Sequence, residues 1–355
     1  NRVTGVTPFE GSNPSLSAFR DQISAAICEC GDTDRMTLNR RLLTAAVLAC
    51  ALGALAFSGA ASAASPACNG SPKLCSRTLD KVVLPGSHNA MSSSSIGWGV
   101  PNHSIAIDQQ LRRGIRAMLI DIHYGVPGSY DLGAGPVKYV QTTDASNPKR
   151  QLYLCHSRCE LGSTPLVDGL KPIAAFLKSH PREVMVFVNE DYVAPADFAA
   201  AATKAGLLKY IYKGSPTRFP TLAKMISSGQ RVVMTSESKT APVKWYSQAY
   251  KSTLRETPYA FATTGLLTDP AALASSCRAN RGPAKGPLFL MNHFVTRANG
   301  ISYAEDSAIV NTKAALVARA NACKATRGKM PTILAVNNVE LGDVVGAAKK
   351  LNGLR

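Results

Sequence analysis

Two histidines stand where a short apolar run stops, a placement that holds proton carriers at the end of a strand. His88 closes the run Lys81–Ser87, and His156 closes Leu152–Cys155. Four further runs end in polar groups. Ala117–Ile120 leads to Asp121 and His123, and Glu183–Asn189 leads to Glu190 and Asp191. Pro287–Met291 leads to Asn292 and His293, and Thr332–Val336 to Asn337 and Asn338. Two neutral imidazoles beside carboxylates suit general acid–base chemistry, in which each positioned proton transfer contributes about 10²–10⁴-fold. A divalent cation held by oxygen ligands would add charge stabilisation for a phosphate. Alternate strand residues share a face, so Asp121 and His123 are expected to point together into one mouth, and Glu190 to share its face with Val186 and Val188.

Apolar runs that end in acid–base groups are what a (β/α)₈ barrel uses to build a site at its C-terminal face. The rest of the chain alternates accordingly. Ile107, Leu111 and Ile115 have helical spacing, as do Leu166, Leu170, Ile173 and Leu177 within Pro165–Ser179. Ala196–Lys209, Pro220–Ser228 and a long segment Ala304–Ala322 read as further helices. Strands are expected at the first four runs, ending at His88, His123, His156 and Glu190, and then at Arg231–Ser236. A weaker one is expected at Tyr259–Thr263, and the last two at Leu288–Asn292 and Ile333–Val336. The Gly- and Pro-rich stretch Gly125–Arg150 reads as a long loop over the active face. The expected fold is α/β, a single-domain (β/α)₈ barrel, distorted where the sixth strand is weak.

The chain has 355 residues, of which the front lies apart from this pattern. Residues 1–35 are polar and irregular and read as an upstream segment outside the mature protein. Residues 36–63 read as a secretion signal: Arg40 and Arg41, an apolar run Leu42–Phe57, then the small-residue cleavage site Ala61-Ser62-Ala63. A membrane anchor is the competing reading, but the run is shorter than the roughly 20 residues a span needs. Residues 64–355 form the barrel domain. The formal charge is +17, and removing the front takes equal numbers of basic and acidic residues. Such a surplus favours anionic surfaces, more weakly as salt rises. No nucleic-acid-binding motif is present, so lipid headgroups or wall polymers are the expected anionic contacts, with a solvated lysine-rich surface as the plain alternative. Six cysteines remain past residue 63, an even number suited to an oxidising compartment, and fifteen pairings are open to them. Proximity favours Cys68–Cys75 and Cys155–Cys159, leaving Cys277–Cys323.

Several motifs carry a resemblance. Pro85-Gly-Ser-His88-Asn89, Gly114-Ile-Arg-Ala-Met-Leu-Ile-Asp121-Ile-His123, Leu154-Cys-His156 and Val186-Phe-Val-Asn-Glu190-Asp191 resemble the catalytic X-domain of phosphatidylinositol-specific phospholipase C. Cys155-His-Ser-Arg-Cys-Glu-Leu-Gly162, Trp245-Tyr246, Glu256-Thr-Pro-Tyr259, Asn280-Arg-Gly282 and Asn292-His293 are similar to secreted phospholipase C-like phosphodiesterases of bacteria and fungi. The likeness runs from about residue 78 to residue 353. It implies that His88 is the general base on the inositol 2-hydroxyl and that His156 protonates the departing diacylglycerol oxygen. It also implies a Ca²⁺ site, with Mg²⁺ as the alternative, at Asn89, Asp121 and Glu190. The implied partner is a phospholipid or related phosphodiester at an anionic membrane surface, met by a monomer.

Three positions depart from the family pattern. Leu119 stands where calcium-dependent members carry Glu, and His123 where metal-free bacterial members carry an Arg in place of the metal. Asn337 replaces the acid that supports the first histidine, so metal-independent action stays open alongside the calcium reading. His123 has three candidate roles: phosphate donor, metal ligand or structural group. Asp191 is expected to brace a loop, His293 and Asn292 to support the site, and Tyr246, with Trp245, either to flank a headgroup or to pack. His103 and His180 read as structural. Two rival functions remain: a metal-dependent glycerophosphodiesterase or phospholipase D-like enzyme, and a non-catalytic binder of anionic headgroups or glycans. There is no Gly-x-Ser-x-Gly elbow, His-Glu-x-x-His zinc motif or Gly-rich phosphate loop to suggest other chemistry.

Overall fold

The computed structural model describes residues 66–131, 135–238 and 243–355. The upstream segment and the secretion signal read from the sequence lie outside these residues. In chain order the strands are β1 (Leu84–Ser87), β2 (Ala117–Asp131), β3 (Pro136–Thr143), β4 (Gln151–Leu154), β5 (Thr164–Pro165) and β6 (Met185–Asp191). They continue with β7 (Val232–Ser236), β8 (Ser247–Gln248), β9 (Leu254–Glu256), β10 (Leu288–Asn292) and β11 (Ile333–Val336). The helices are α1 (Ile107–Arg112), α2 (Leu166–Ser179), α3 (Pro195–Lys204), α4 (Leu222–Ser227) and α5 (Gly265–Thr268). After them come α6 (Pro270–Ser276), α7 (Ala304–Val310), α8 (Lys313–Arg327) and α9 (Val344–Leu351).

Parallel ladders link eight strands in the order β8-β7-β6-β2-β1-β11-β10-β9. Its two ends, β8 and β9, are consecutive in the chain and joined by the wide helical turn Ala249–Thr253. The sheet therefore curls into a (β/α)₈ barrel left open at that one seam. Strand parity builds the two layers of the core. Leu84, Ala117, Leu119, Val186, Val188 and Val233 pack inside the barrel with Leu254, Leu288, Leu290, Ile333 and Ala335. Their neighbours Met118, Ile120, Phe187, Met234, Phe289, Met291, Leu334 and Val336 face outward, against Leu170, Ile173, Leu177, Leu316 and Ala347 of the surrounding helices. Each Leu, Ile, Val, Met or Phe among them, fully buried, stabilises the fold by about 1.5–3 kcal/mol.

Four expectations about elements change. The run before His156 is not a barrel strand: β4 pairs antiparallel with β2, with Ile122 opposite Leu154. Both β3 and β4 run antiparallel to β2, with Tyr124 opposite Thr143 on one side and Leu152 on the other. The stretch Gly125–Arg150 is largely a hairpin, not a loop, since β2 runs on to Asp131 and returns as β3. Its glycines make room for neighbours: a Cβ at Gly125 would come within 2.4 Å of Val140, and one at Gly128 within 2.7 Å of Tyr139. The weak sixth strand lies at β9 rather than Tyr259–Thr263, with β8 before it. The long helix Ala304–Ala322 is broken into α7 and α8, where the Thr312 hydroxyl accepts the Ala315 N–H and caps the second. The break frees buried Asn311, whose Nδ2 donates 2.7 Å to the carbonyl of Asn337, just past β11.

The six cysteines pair as Cys68–Cys75, Cys155–Cys159 and Cys277–Cys323. Among the described residues no helix is long and apolar enough to cross a membrane.

Candidate active site

Parity carries each inward apolar row out of the barrel into a polar residue. Leu84 and Gly86 lead to His88, Ala117 and Leu119 to Asp121, and Val186 and Val188 to Glu190. Val233 leads through Thr235 to Glu237, Leu254 to Glu256, Leu290 to Asn292, and Ala335 to Asn337. Six of these seven polar residues line one cavity of about 140 Å³ whose floor is Leu119, Val188 and Leu290; Asn337 holds His88 from behind. Asn89, Tyr259, Arg281 and Phe294 complete the wall.

His88 sits on the turn after β1. Its backbone N–H donates 3.0 Å to Val336, and its ring stacks on Phe294 at 3.8 Å between centroids. Nδ1 lies 2.9 Å from Asn337 Oδ1. An amide oxygen accepts, so the proton sits on Nδ1 and the Nε2 lone pair is left to act as base. Burial lowers the pKa to about 3, against the Asn337 hydrogen bond, and the charge of His156 lowers it further. The imidazole is therefore neutral throughout the physiological range.

His156 is the opposite case. Its Nδ1 lies 2.6 Å from Asp121 Oδ2, with the imidazole side chain 44% exposed and the carboxylate buried. Burial works to lower its pKa, but the Asp121 hydrogen bond and charge outweigh it, Glu190 adds to them, and the imidazolium is favoured. The five-residue ring closed by Cys155–Cys159 contains His156 and fixes the loop that follows β4.

Asp121 and Glu190 are direct partners across the β2–β6 ladder. Burial pushes both carboxyls up, and the charge of Asp121 pushes Glu190 further. Tyr192 O–H donates to Glu190 Oε1. Asn89 has φ +48° and donates from Nδ2 to Asn102 Oδ1 at 3.2 Å. Asn89, Asp121 and Glu190 thus present amide and carboxylate oxygens to one cavity, a donor set of the type hard cations take. Among the described residues no three His, Cys, Asp or Glu side chains converge as a metal-binding group, and Leu119 presents an apolar side chain to the cavity beside Asp121.

The far wall entered the sequence reading only as the motifs Glu256-Thr-Pro-Tyr259 and Asn280-Arg-Gly282, with no role assigned to them. Arg281 is gripped by two carboxylates, with Nε 2.6 Å from Glu256 Oε1 and Nη1 2.6 Å from Glu237 Oε2. Tyr250 lies under its guanidinium, 4.1 Å from centroid to charge. Burial raises the Glu237 pKa, while Arg281 pulls it back down. The rows Val233-x-Thr235-x-Glu237 and Leu254-x-Glu256 carry the same parity signal as the other strand ends. Arg281 lies on a loop and has no periodic signal.

Other named residues fall elsewhere. His123 shares parity with Asp121 but belongs to the β2–β4 pairing, buried and stacked on Tyr192 at 4.2 Å. Burial lowers its pKa to about 4, and its Nε2 is buried without a hydrogen-bond partner among the described residues. Tyr246 does not flank the cavity: it is buried against Phe198, with its O–H accepting from Asn189 Nδ2. Its run ends in β8, whose turn directs the ring into the outer core. Asn292 lines the cavity and donates to Glu256 Oε2 at 3.3 Å. His293, on the outward face, bonds Val310 O and fully buried Arg319. Asp191 accepts from the Ser236 and Ser238 hydroxyls. His180 stacks on Phe176. His103, expected in a polar loop, is buried beside the backbone of His88.

Residues 126–352 match the PI-PLC X family, more than half of the chain. The chain belongs to the PI-PLC X family. The match begins after His88 and Asp121. Two relatives are PI-PLC X domain-containing proteins. One, from Arthroderma benhamiae, is 25% identical over 305 residues, covering 81% of this chain and 90% of its own. The other, from Arabidopsis thaliana, is 26% identical over 293 residues, covering 75% of this chain and 60% of its own. A variant of the phosphatidylinositol-specific phospholipase C of Staphylococcus aureus has a similar fold. Its TM-score is 0.53 at 14% identity, over 79% of this chain and 94% of that one. This PI-PLC X chain thus has the family's barrel, with a cavity at the C-terminal strand ends where such barrels keep their chemistry.

Proposed function

We propose that the protein is a secreted phospholipase C-like phosphodiesterase that cleaves an inositol phospholipid or a related phosphodiester bearing a neighbouring hydroxyl. One observation carries the reading: two histidines stand at the mouth of one barrel with opposite partners, His88 buried with its Nδ1 on the Asn337 amide and His156 with its Nδ1 2.6 Å from the Asp121 carboxylate, so that burial lowers the pKa of the first and Asp121 raises that of the second. A less basic and a more basic imidazole side by side are a pairing suited to the base and acid of an in-line displacement on phosphorus. His88 Nε2 takes the proton of the headgroup hydroxyl, whose oxygen attacks phosphorus. The bond to the lipid oxygen breaks as that oxygen receives the Nε2 proton of His156, giving a cyclic phosphodiester and a free alcohol. Asp121 keeps His156 oriented through Nδ1. Asn89, Asp121 and Glu190 would hold Ca²⁺, or Mg²⁺, which when bound supplies positive charge to the phosphate oxygens. The three disulfides fit an extracellular protein.

Phosphorus NMR with phosphatidylinositol micelles tests this, in calcium and in EDTA. A cyclic phosphate signal is expected, reduced by about 10²–10⁴-fold in His88→Ala and in His156→Ala. Loss of the signal in EDTA, restored by calcium, supports the metal reading; turnover unchanged by EDTA overturns it. No turnover on any phosphodiester in either arm sinks the enzyme reading, and headgroup binding that survives both substitutions would then lead.

A further inference from the structure

We infer that His103 is a positioning residue for His88, acting through the main chain rather than on the substrate. The inference rests on His88 being the base proposed above. His88 lies one residue past the end of β1, and its successor Asn89 has φ +48°, so the chain turns out of the sheet at this peptide. The N–H of His88 still belongs to the ladder, bonded to Val336. Its carbonyl is met by the imidazole of His103, Nε2 to O at 2.8 Å, with Ser87 Oγ 2.9 Å from the same nitrogen. The other ring nitrogen lies 3.4 Å from the Val339 N–H, a donor, so Nδ1 accepts and the single proton is on Nε2. That tautomer is the one able to donate to the His88 carbonyl.

The imidazole itself is well anchored. It is 1% exposed, and its own backbone N–H and C=O bond Ser92 and Ser94. Glu340 Oε2 lies 4.0 Å from Nδ1, and Glu340 Oε1 accepts the Ser104 N–H at 2.7 Å. His103 therefore ties the turn after β1 to the segment that follows β11. The same two segments carry His88 and its ring partner Asn337. With the N–H held by β11 and the C=O by His103, the Cα–Cβ direction of His88 is fixed before Asn337 and Phe294 orient the ring. Releasing the carbonyl would let that peptide rotate and carry Nε2 away from the cavity. A displacement of about 1 Å at a reacting group can cost about 10²-fold in rate.

The test compares His103→Leu, which cannot donate, with His103→Asn, which is polar but too short, and His103→Gln, whose amide nitrogen reaches the position of Nε2. Two readouts are taken on the full chain: kcat and KM in the phosphorus NMR assay, and nitrogen-15 NMR of the His88 ring. Expected results are a kcat loss of about 10- to 100-fold in the Leu and Asn variants with KM within about twofold, and recovery to within about threefold in Gln. The His88 ring should show one Nδ1–H tautomer in wild type and Gln, and mixed or shifted signals in Leu and Asn. Folded Leu or Asn variants with wild-type kcat and a wild-type His88 signal overturn the inference. So does a Gln variant no better than Leu. If wild type turns nothing over, the proposed substrate fails while the ring signals still decide the role of His103.

Discussion

At His88 the group on Nδ1 is an amide, and that choice sets how basic the other nitrogen is. Asn337 Oδ1 fixes the tautomer but offers no charge to an imidazolium, and burial leaves the pKa at about 3. A carboxylate in the same place would stabilise the protonated ring. Asn337→Asp is therefore expected to raise the His88 titration midpoint by about 1–3 pH units, read from its Cε1–H resonance. A midpoint that stays put would mean the amide is not what limits its basicity. At His156 the sign is the reverse. Its pKa is raised, the acid must carry its proton, and so turnover should fall as pH rises through that value. Asp121→Asn removes the charge that raises it and should move this alkaline limb to lower pH, together with a fall in the plateau rate from the lost orientation of His156. An unmoved limb would remove His156 from the role of acid. His88 and His156 were legible because each closes an apolar run. His103 was not, because its loop is polar in sequence and only folding packs it behind β1.

Among the elements, β9 shows how a short strand can carry a wall of the site. Its three residues place Glu256 inward, and the loop before β10 brings Arg281 back over it, with the Glu256 N–H donating to the Arg281 carbonyl at 3.1 Å. Gly282 makes this approach possible. It has φ +90°, and a Cβ there would come within 2.0 Å of the Leu254 carbonyl oxygen. Gly282→Ala meets both the backbone penalty and the clash, and is expected to destabilise by about 2 kcal/mol or more, measured as the urea midpoint. A neutral result would mean the loop moves freely off β9 and that Arg281 is not held by it. Parity read correctly at β6, where Val186 and Val188 lead to Glu190, and only in part at β2, where Asp121 lines the cavity but His123 packs on Tyr192. It failed at β7 and β9, where the rows leading to Glu237 and Glu256 were cut short or misplaced. The antiparallel β4 was read as a barrel strand because a three-residue apolar run has no direction written in it.

For the whole molecule, charge is distributed against the site. The chain carries +17, yet its cavity is lined by Asp121, Glu190, Glu237 and Glu256 with Arg281 as the cation among them. The surplus of positive charge therefore lies outside the cavity. Vesicles containing anionic lipid should retain the protein at low ionic strength and release it as the Debye length falls from about 30 Å at 0.01 M salt to about 8 Å at 0.15 M. Neutral vesicles should retain little at any salt concentration. Salt-independent retention would show that apolar contact, not net charge, holds the protein to the surface.

The sequence by itself determined the inward rows, because a side-chain period of two is a property of each strand alone. Strand-closing positions were enough to name His88, Asp121, His156, Glu190 and Asn292 as polar ends at one barrel face. What only the tertiary structure decided depends on partners far along the chain. It set the direction of β4, the capture of Arg281 by Glu237 and Glu256, the burial of Tyr246 away from the site, and the proton that His103 gives to the His88 carbonyl. Each is a contact between segments whose separation no local pattern encodes, and each is fixed only when the sheet curls and brings the strand ends together.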